Sequence, residues 1–332
     1  MQIRDVTIVG AGPAGLAAGI ASKRLGLDYS ILEKGVLVNS IYNFPVNMVF
    51  FTTPELLEIG GLPLVSPFEK PTRLEALRYY RRVVDTYDLS IEFGEQVFGV
   101  VREQGKGRED LFAIETRSEK GVRRIRHSRT LIFAIGYFDH PNYLGVPGED
   151  LPHVSHYYRE AHGLYRKRVV IVGAGNSAAE TALELYRSGT QVTLLVRGSA
   201  LKPSIKYWVK PDIENRLKEQ SIASMFNTRV VEIHPTHVVA ETKTGTIEIP
   251  ADAVFLLTGY HPDCDLYRRA GIRLHRDSMN PEFNPETFET NVPGLFLAGG
   301  AICGKDTSNI FIENGRFHGE KIVSLIADRL RK

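Results

Sequence analysis

Short runs of β-branched and aliphatic residues recur along the chain, and most of them end in glycine or other small residues. Such runs are typical of strands buried in a parallel sheet. Helix-compatible segments, LAAGIASKRLGL and AETALELYRSG, follow two of the runs. Strands are predicted in VTIVG, DYSILEKG, TLIFAIG, VVIVG, QVTLLVRG, DAVFLLTG and GLFLAGG. The order of elements predicts an α/β protein with two Rossmann-like domains.

The first apolar run leads directly into a glycine loop, Gly10-x-Gly12-x-x-Gly15. Gly10 permits the tight turn, Gly12 lets the backbone approach a pyrophosphate, and Gly15 lets the helix pack on the strand. A second predicted strand ends at Glu33, where a carboxylate can accept hydrogen bonds from a ribose diol. Strand, loop, helix, strand and acidic residue in this order predict a nucleotide site. The first glycine loop comprises Gly10, Ala11, Gly12, Pro13, Ala14 and Gly15.

The same pattern returns in residues 173–178, the second glycine loop. The offset that leads from Gly10 to Glu33 leads here to Val196, and Arg197 follows it. A cation in place of the carboxylate favours the 2′-phosphate of NADPH, and Lys202 reinforces it. Candidate NADPH-binding residues are therefore Gly173, Gly175, Asn176, Ser177, Ala178, Arg197 and Lys202. FAD with NADPH satisfies both loops, although a second NAD would also fit the loops alone.

Turn-rich sequences follow the strands TLIFAIG and DAVFLL, and both are interpreted as crossings between domains. The NADPH-binding domain is predicted at 139–261, as an insertion in a discontinuous FAD-binding domain at 1–138 and 262–332. The chain is predicted to finish in a single helix formed by NGRFHGEKIVSLIADRL. Its core-facing stripe is expected to comprise Ile322, Leu325, Ile326 and Leu330.

Composition excludes several classes of protein for this chain of 332 residues. A net charge of +2 without a basic stripe argues against nucleic acid as a partner. No apolar run is long enough to span a bilayer. Neither HExxH nor paired Cys/His spacing occurs, so no metal site is expected. Only Cys264 and Cys303 are present and no leader is apparent, which predicts a cytoplasmic enzyme without a disulfide framework.

The two glycine loops, the crossings AIG and TGYHPD, and the segment NVPGLFLAGG resemble the low-molecular-weight thioredoxin reductase superfamily. LEKGVLVNSIYNFP, FFTTPELLEIGGLP, GYFDHPNYLGVPGEDLP and IFIENGRFHG further resemble the YpdA-type bacillithiol disulfide reductases. The resemblance implies FAD, NADPH and a homodimer. It also implies further FAD contacts from Lys34, Asn39, Ile41, Tyr42, Ala134, Gly136, Gly299, Gly300, Asn309 and Ile310. Gly259 and Tyr260 are implied near NADPH.

The sequence departs from these relatives at three points. The region before the second glycine loop carries no CxxC dithiol, which argues against thioredoxin as a direct substrate. AGGA at 298–301 lacks the aspartate that many relatives place after the second glycine, as YpdA-type proteins also tend to do. The YpdA-type family usually has a cysteine in its first loop, and this chain has Ala14 instead.

Reduction of a disulfide normally requires a thiolate near the flavin, which Ala14 cannot supply. Cys303 is the candidate redox thiol, and His156 and His318 are further candidate catalytic residues. Each of the three is also explained as an ordinary buried or hydrogen-bonded residue. A basic cluster, defined as Lys120, Arg123, Arg124, Arg126 and Arg129, would suit an acidic protein partner or a solvated hairpin.

The leading hypothesis is a YpdA-like, FAD-dependent NADPH oxidoreductase that reduces a small-molecule disulfide. One alternative is a ferredoxin/flavodoxin–NADP reductase-like donor to a small acidic electron carrier, because electron transfer from a flavin needs no cysteine. A further alternative is a non-catalytic flavin redox sensor, against which the complete second glycine loop argues.

Overall fold

The computed structural model describes residues 2–104 and 110–331. The chain forms two compact units. Unit 1 comprises Met1–Asn43, Asn47–His140 and Tyr260–Lys332, and unit 2 comprises Phe44–Val46 and Pro141–Gly259.

The strands are β1 Ile3–Val9, β2 Tyr29–Glu33, β3 Ile91–Phe93, β4 Glu95–Gln104, β5 Asp110–Ser118, β6 Arg123–Phe133, β7 Val154–Ser155, β8 Arg168–Val172, β9 Gln191–Val196, β10 Ala223–Phe226, β11 Arg229–Ile233, β12 His237–Thr242, β13 Gly245–Pro250, β14 Ala253–Leu256 and β15 Leu295–Leu297. The α-helices are α1 Pro13–Arg24, α2 Asn39–Asn43, α3 Arg73–Tyr87, α4 Asn176–Arg187, α5 Lys210–Lys218, α6 Cys264–Arg269, α7 Ile312–Gly315 and α8 His318–Leu330. Short 3₁₀ helices lie at Pro54–Leu56, His162–Leu164 and Gly299–Ile302.

Unit 1 is built on a seven-stranded sheet in the order β3-β2-β1-β6-β5-β4, with β15 also paired to β6. Strands β1, β2, β3, β6 and β15 run parallel to one another. Strand β5 lies between β4 and β6 and runs antiparallel to both. One edge of β6 is shared, because β5 pairs with its first half and β15 with its last three residues. β2 and the second half of β1, residues 6–9, are buried on both faces, as is typical of parallel strands inside an α/β sheet.

The strand register brings the carboxyl ends of four strands of unit 1 to one edge of the sheet. Val9 of β1 pairs with Leu32 and with Phe133, and Phe133 pairs with Leu297. The segments that follow these strands begin with Gly10, Lys34, Ala134 and Ala298. Ligands of open α/β sheets bind in this position, outside the carboxyl ends of the strands.

Unit 2 repeats this plan with a parallel five-stranded sheet in the order β10-β9-β8-β14-β7. Val172 of β8 pairs with Leu195 of β9 and with Leu256 of β14, so their carboxyl ends also share an edge. A separate antiparallel sheet, β11-β12-β13, packs against β8 and β14 through a common apolar core. The predicted fold class, α/β with two Rossmann-like sheets, is confirmed.

The predicted C-terminal helix is wrong in two details. It is divided into α7 and α8 by a turn at Arg316 and Phe317. The buried stripe of α8 includes Ile322, Val323 and Ile326, whereas Leu330 is 38% exposed. Leu330 is the last residue of the helix.

Within residues 2–104 and 110–331, no helix combines the length and the apolar composition needed to cross a bilayer. The same residues contain no group of three or more His, Cys, Asp or Glu side chains placed to hold a metal ion.

Candidate functional site

The first glycine loop turns tightly between β1 and α1. A Cβ on Gly10, where φ is +107°, would lie 2.5 Å from the carbonyl oxygen of Ala134. A Cβ on Gly15 would lie 1.9 Å from the carbonyl oxygen of Gly10. At Gly12, by contrast, a Cβ would meet no atom within 4 Å. Glycine at 10 and 15 is therefore required by the fold, whereas Gly12 keeps a space clear in front of the N-terminus of α1.

This space suits the pyrophosphate of FAD, because backbone N–H groups and the positive end of a helix dipole face it. Pro13 occupies the first position of α1, where its missing N–H leaves no unpaired group. Val38, which follows β2, donates its N–H to the carbonyl oxygen of Ala11 at 3.1 Å. The segment after β2 therefore folds over the first glycine loop, and α2, which follows Val38 directly, begins beside this loop.

Glu33 is buried at the end of β2, and backbone groups hold both oxygens of its carboxylate. Oε2 accepts the N–H of Ala11 at 2.7 Å, and Oε1 accepts the N–H of Gly35 at 2.8 Å. Burial raises the pKa of Glu33 above its usual value, against the effect of these two hydrogen bonds. Each oxygen keeps a second lone pair that can accept a ribose hydroxyl. The carboxylate of Glu33 could therefore still accept hydrogen bonds from the ribose of an adenosine.

Lys34, Asn39 and Asp139 form a polar group beside Glu33. Lys34 Nζ lies 2.9 Å from the carboxylate of Asp139, to which Asn39 Nδ2 donates at 3.4 Å. Lys34 also borders a cleft of about 440 Å³. The cleft is further lined by Gly94, Gln96, Arg117, Ser118, Glu119 and Gly121. Sequence reasoning missed these residues, because they come from β4, β5 and their turns and match no local motif.

The 3₁₀ helix after β15 approaches the first glycine loop closely. Gly299 has a φ of +61°, and a Cβ on it would lie 2.7 Å from the methyl group of Ala14. A Cβ on Gly300 would lie 2.7 Å from the ring of Tyr137. Gly136 has a φ of +62° in the segment after β6. The structure therefore brings Ala14, Gly136, Gly299 and Gly300 together.

The remaining residues implied at the flavin lie on α2 and before α7. Ile41 is buried, and its carbonyl oxygen accepts from Arg73 Nε at 3.0 Å. Tyr42 is 44% exposed and lies under the same guanidinium, 5.6 Å from its ring centroid. The carbonyl oxygens of Asn309 and Ile310 accept hydrogen bonds from Asn314 Nδ2 and Tyr137 Oη, respectively.

Cys303 follows the 3₁₀ helix and is buried. Burial, aided by the carboxylate of Asp306, raises the pKa of its thiol to about 11. On the order of one thiol in ten thousand is then ionised at pH 7. Burial also raises the pKa of Cys264. Neither cysteine has the environment of a reactive thiolate.

His318 lies at the start of α8 and contacts the 3₁₀ helix that follows β15. Its Nδ1 accepts the N–H of Gly299 at 3.1 Å, and its ring stacks on Phe288 at 4.2 Å between centroids. Burial lowers the pKa of His318 to about 4. The imidazole is therefore neutral at pH 7 with its proton on Nε2, and it fixes the position of Gly299.

The second glycine loop has the same geometry as the first. A Cβ on Gly173 would lie 2.5 Å from the carbonyl oxygen of Leu257 and 2.9 Å from the Cβ of Ala178. Ala178 is accommodated because Gly173 lacks a side chain. A Cβ on Gly175 would meet no atom closer than 3.9 Å. The space before α4 is therefore open in front of Gly175, as it is before α1, and suits the pyrophosphate of NADPH.

Arg197 and Lys202 follow β9 at the same edge of the sheet. Both are exposed, and neither forms an ion pair with any residue in the described part of the chain. Ser177 is exposed in the first turn of α4. Gly259 has a φ of +94° at the end of unit 2, and Tyr260 is the first residue of the returning segment of unit 1.

His156 belongs to unit 2 and is only 8% exposed. Its Nε2 lies 3.3 Å from the carboxylate of Glu149, and its ring meets that of Tyr143 edge-on. Glu149 also accepts the N–H groups of Leu144 and Gly145. Burial lowers the pKa of His156. These contacts give His156 a structural role in fastening the segment 143–149.

Three arginines of the basic cluster are held in ion pairs within unit 1. Arg124 pairs with Glu95, Arg126 with Glu92 at 2.6 Å, and Arg129 with Asp5 at 2.8 Å. Their charges are largely neutralised by the neighbouring strands, which reduces their capacity to attract an acidic protein.

Comparison with known proteins extends over both units. A family model described as pyridine nucleotide-disulphide oxidoreductase matches residues 7–299. The bacilliredoxin reductase Bdr of Bacillus subtilis (strain 168) is 43% identical over 323 residues, which are 97% of this chain and 97% of that protein. The structure of bacillithiol disulfide reductase Bdr (YpdA) from Bacillus cereus is 39% identical with a TM-score of 0.94, over 99% of this chain and 100% of that chain. Its counterpart from Staphylococcus aureus is 39% identical with a TM-score of 0.90, over 99% of each chain.

Proposed function

Because this chain belongs to the pyridine nucleotide-disulphide oxidoreductase family, and within it to the Bdr (YpdA) group, we propose that it reduces a small-molecule disulfide of the bacillithiol disulfide class. The chain is an FAD-dependent oxidoreductase that uses NADPH. The observation that carries the proposed substrate is the likeness to bacillithiol disulfide reductases over 99% of the chain.

We assign FAD to the first glycine loop of an FAD-binding domain at 1–138 and 262–332. Bound there, FAD supplies the redox group that links the nucleotide to the acceptor. The open space at Gly12 receives the pyrophosphate, and Glu33 accepts from the ribose. The cleft beside Lys34 receives the adenine. Ala14, Gly136, Gly299, Gly300 and the segment 309–310 lie toward the flavin ring.

We assign NADPH to the second glycine loop, in a domain at 139–261. The space at Gly175 receives the pyrophosphate. Arg197 and Lys202 supply cations for the 2′-phosphate, and their lack of ion-pair partners within the described residues leaves both charges for a ligand.

The acceptor takes up two electrons and two protons and leaves as two thiols. No cysteine of this chain forms a mixed disulfide with it, because position 14 is alanine and burial raises the pKa of both thiols. A small acidic electron carrier is the competing acceptor, since it needs no thiol either. The ion pairs of Arg124, Arg126 and Arg129 disfavour it.

A homodimer and a cytoplasmic location complete the proposal. Val65, Phe68 and Phe317 of unit 1 are 83%, 61% and 57% exposed, and large exposed apolar side chains suit burial against a second copy. Both cysteines are free thiols, as in proteins of reducing compartments.

The proposed reaction is tested by anaerobic NADPH consumption, measured with bacillithiol disulfide, with an oxidised flavodoxin and without acceptor. We expect the disulfide to accelerate consumption and the flavodoxin to leave it near the rate without acceptor. Acceleration by flavodoxin alone would overturn the disulfide proposal in favour of the carrier. The FAD-depleted Gly12→Val protein serves as the control for consumption that does not pass through the flavin.

A further inference from the structure

The side chain of Asn176 joins the second glycine loop to the segment 202–206, which follows β9. Its Nδ2 donates to the carbonyl oxygen of Ser204 at 3.1 Å, and its Oδ1 accepts the N–H of Lys206 at 2.9 Å. One amide group thus holds two peptide groups of the same segment. Because Asn176 is the first residue of α4, this places the segment beside the phosphate-binding end of that helix.

Lys202 lies on the side of this segment nearest the second glycine loop. Its N–H donates to the carbonyl oxygen of Ala174 at 2.8 Å. Its Cδ lies 3.9 Å from the position that a Cβ on Gly175 would take. The aliphatic stem of Lys202 therefore passes close to the middle glycine of the loop, and its exposed ammonium has no ion-pair partner in the described residues.

Lys206 has a different electrostatic neighbour. Burial raises the pKa of Glu180 to about 7, and the positive charge of Lys206 acts against this rise. Glu180 lies one turn along α4 from Asn176. The charge of Lys206 therefore stabilises the ionised form of Glu180. Lys202 is then the cation of this segment that can bind a ligand.

We propose that Asn176 is a positioning residue for recognition of the 2′-phosphate of NADPH, and that it acts by holding the segment 202–206 so that Lys202 stays beside the second glycine loop. The proposal rests on the assignment of NADPH to that loop. A lysine on a free segment would have to be ordered at each binding event, at a cost in conformational entropy. Asn176 meets this cost in advance, during folding.

The proposal is tested with 2′,5′-ADP and 5′-AMP, which differ by the phosphate in question, as calorimetric probes of the FAD-loaded protein. Asn176→Ala removes both hydrogen bonds from a partly exposed site, so the protein is expected to fold and to keep its FAD. We expect the affinity for 2′,5′-ADP to fall by about tenfold, as the loss of two hydrogen bonds implies, and that for 5′-AMP to change less than about twofold.

A double-mutant cycle with Lys202→Ala shows whether Asn176 acts through Lys202. In the Lys202→Ala background, Asn176→Ala should cause little further loss of 2′,5′-ADP affinity. Lys210→Gln is the matched charge control, because Lys210 lies on α5 and pairs with Glu214. It should leave both affinities unchanged.

The outcomes separate the proposed role of Asn176 from the NADPH site itself. Equal losses for both probes, or full additivity with Lys202→Ala, would overturn the positioning role while leaving the nucleotide site in place. Equal binding of 2′,5′-ADP and 5′-AMP to the unmodified protein would instead overturn the assignment of a 2′-phosphate site.

Discussion

Nδ1 of His318 accepts the backbone N–H of Gly299 at 3.1 Å, so the first residue of α8 fixes the glycine that faces Ala14. The contact requires a neutral imidazole, because a protonated ring has no acceptor. Acidification therefore opposes the contact that positions Gly299.

His318 predicts loss of stability at low pH. Its pKa is about 4 in the folded protein and near 6.5 when unfolded, so the unfolded chain binds more protons between these values. Stability is expected to fall as the pH decreases from 6.5 towards 4. His318→Asn keeps an acceptor near the position of Nδ1 but does not titrate. Between pH 7.5 and pH 5, the free energy of unfolding of this variant should fall less than that of the unmodified protein. The expected difference is on the order of 1 kcal/mol, because the partly exposed ring is screened by solvent.

Urea unfolding at pH 7.5 and pH 5 measures this difference. The exposed His162→Asn is the matched control and should follow the unmodified protein. Parallel losses in the His318→Asn and unmodified proteins would contradict the role of His318.

Gly12→Val is predicted to abolish FAD binding without unfolding the protein. A side chain at this position meets no protein atom within 4 Å, and the backbone has an ordinary extended conformation. The side chain would instead fill the space assigned to the pyrophosphate. Circular dichroism reports whether the variant is folded, and the ratio of flavin to protein absorbance reports whether it has bound FAD. Gly163→Ala, at another glycine with open space, should keep its FAD; stoichiometric FAD in Gly12→Val would refute the assigned loop.

Arg197→Ala is predicted to raise the KM for NADPH about tenfold or more and to leave the KM for NADH almost unchanged. Its guanidinium is exposed at the end of β9 and is assigned to a phosphate that only NADPH carries. Steady-state kinetics with both nucleotides check the prediction. Equal increases in the two KM values would exclude a role at the 2′-phosphate.

Cys303→Ser is predicted to leave the rate of disulfide reduction within about twofold. The thiol is buried and its pKa is raised to about 11, so it is not a nucleophile at pH 7. The measurement is the rate of NADPH consumption with bacillithiol disulfide. A loss of more than about tenfold, with FAD retained, would make Cys303 the acceptor-reducing thiol.

Ala14→Cys is predicted to create a reactive thiol. Position 14 lies in the first turn of α1, whose N-terminus stabilises a thiolate, and it faces Gly299. We expect one cysteine per chain to react rapidly with an aromatic disulfide reagent under native conditions, whereas the unmodified protein reacts slowly. The variant should also reduce bacillithiol disulfide faster. A thiol at position 14 that stays unreactive would contradict this orientation.

The parts of the fold that follow from local backbone requirements could be predicted from the sequence. Gly10, Gly15 and Gly173 are required by close approaches to the main chain, and such requirements leave glycines at fixed spacings. Glu33 is predicted because the dinucleotide-binding pattern places an acidic residue about 20 residues after its glycines, at the end of the second strand.

Features that depend on distant parts of the chain could not be predicted in the same way. The ion pairs of Arg126 and Arg129 require the register of β6 with its neighbours. The cleft beside Lys34 requires the hairpin of β4 and β5. The hydrogen bonds of Asn176 with Ser204 and Lys206 depend on the path of the segment 202–206, which no periodic pattern predicts.

Because β6 shares one edge between β5 and β15, the sheet of unit 1 can be completed only after unit 2 has been synthesised. Unit 2 is encoded almost entirely by the continuous stretch Pro141–Gly259, and β15 and α8 of unit 1 follow this stretch in the chain. A Cβ on Gly319 would lie 2.5 Å from the backbone of Ala18, so α8 packs directly on α1, which precedes unit 2 in the chain. A nascent chain that stops at residue 260 can complete unit 2, yet it leaves the end of β6 without β15 and α1 without α8. Synthesis of unit 1 thus begins before that of unit 2 and is completed after it.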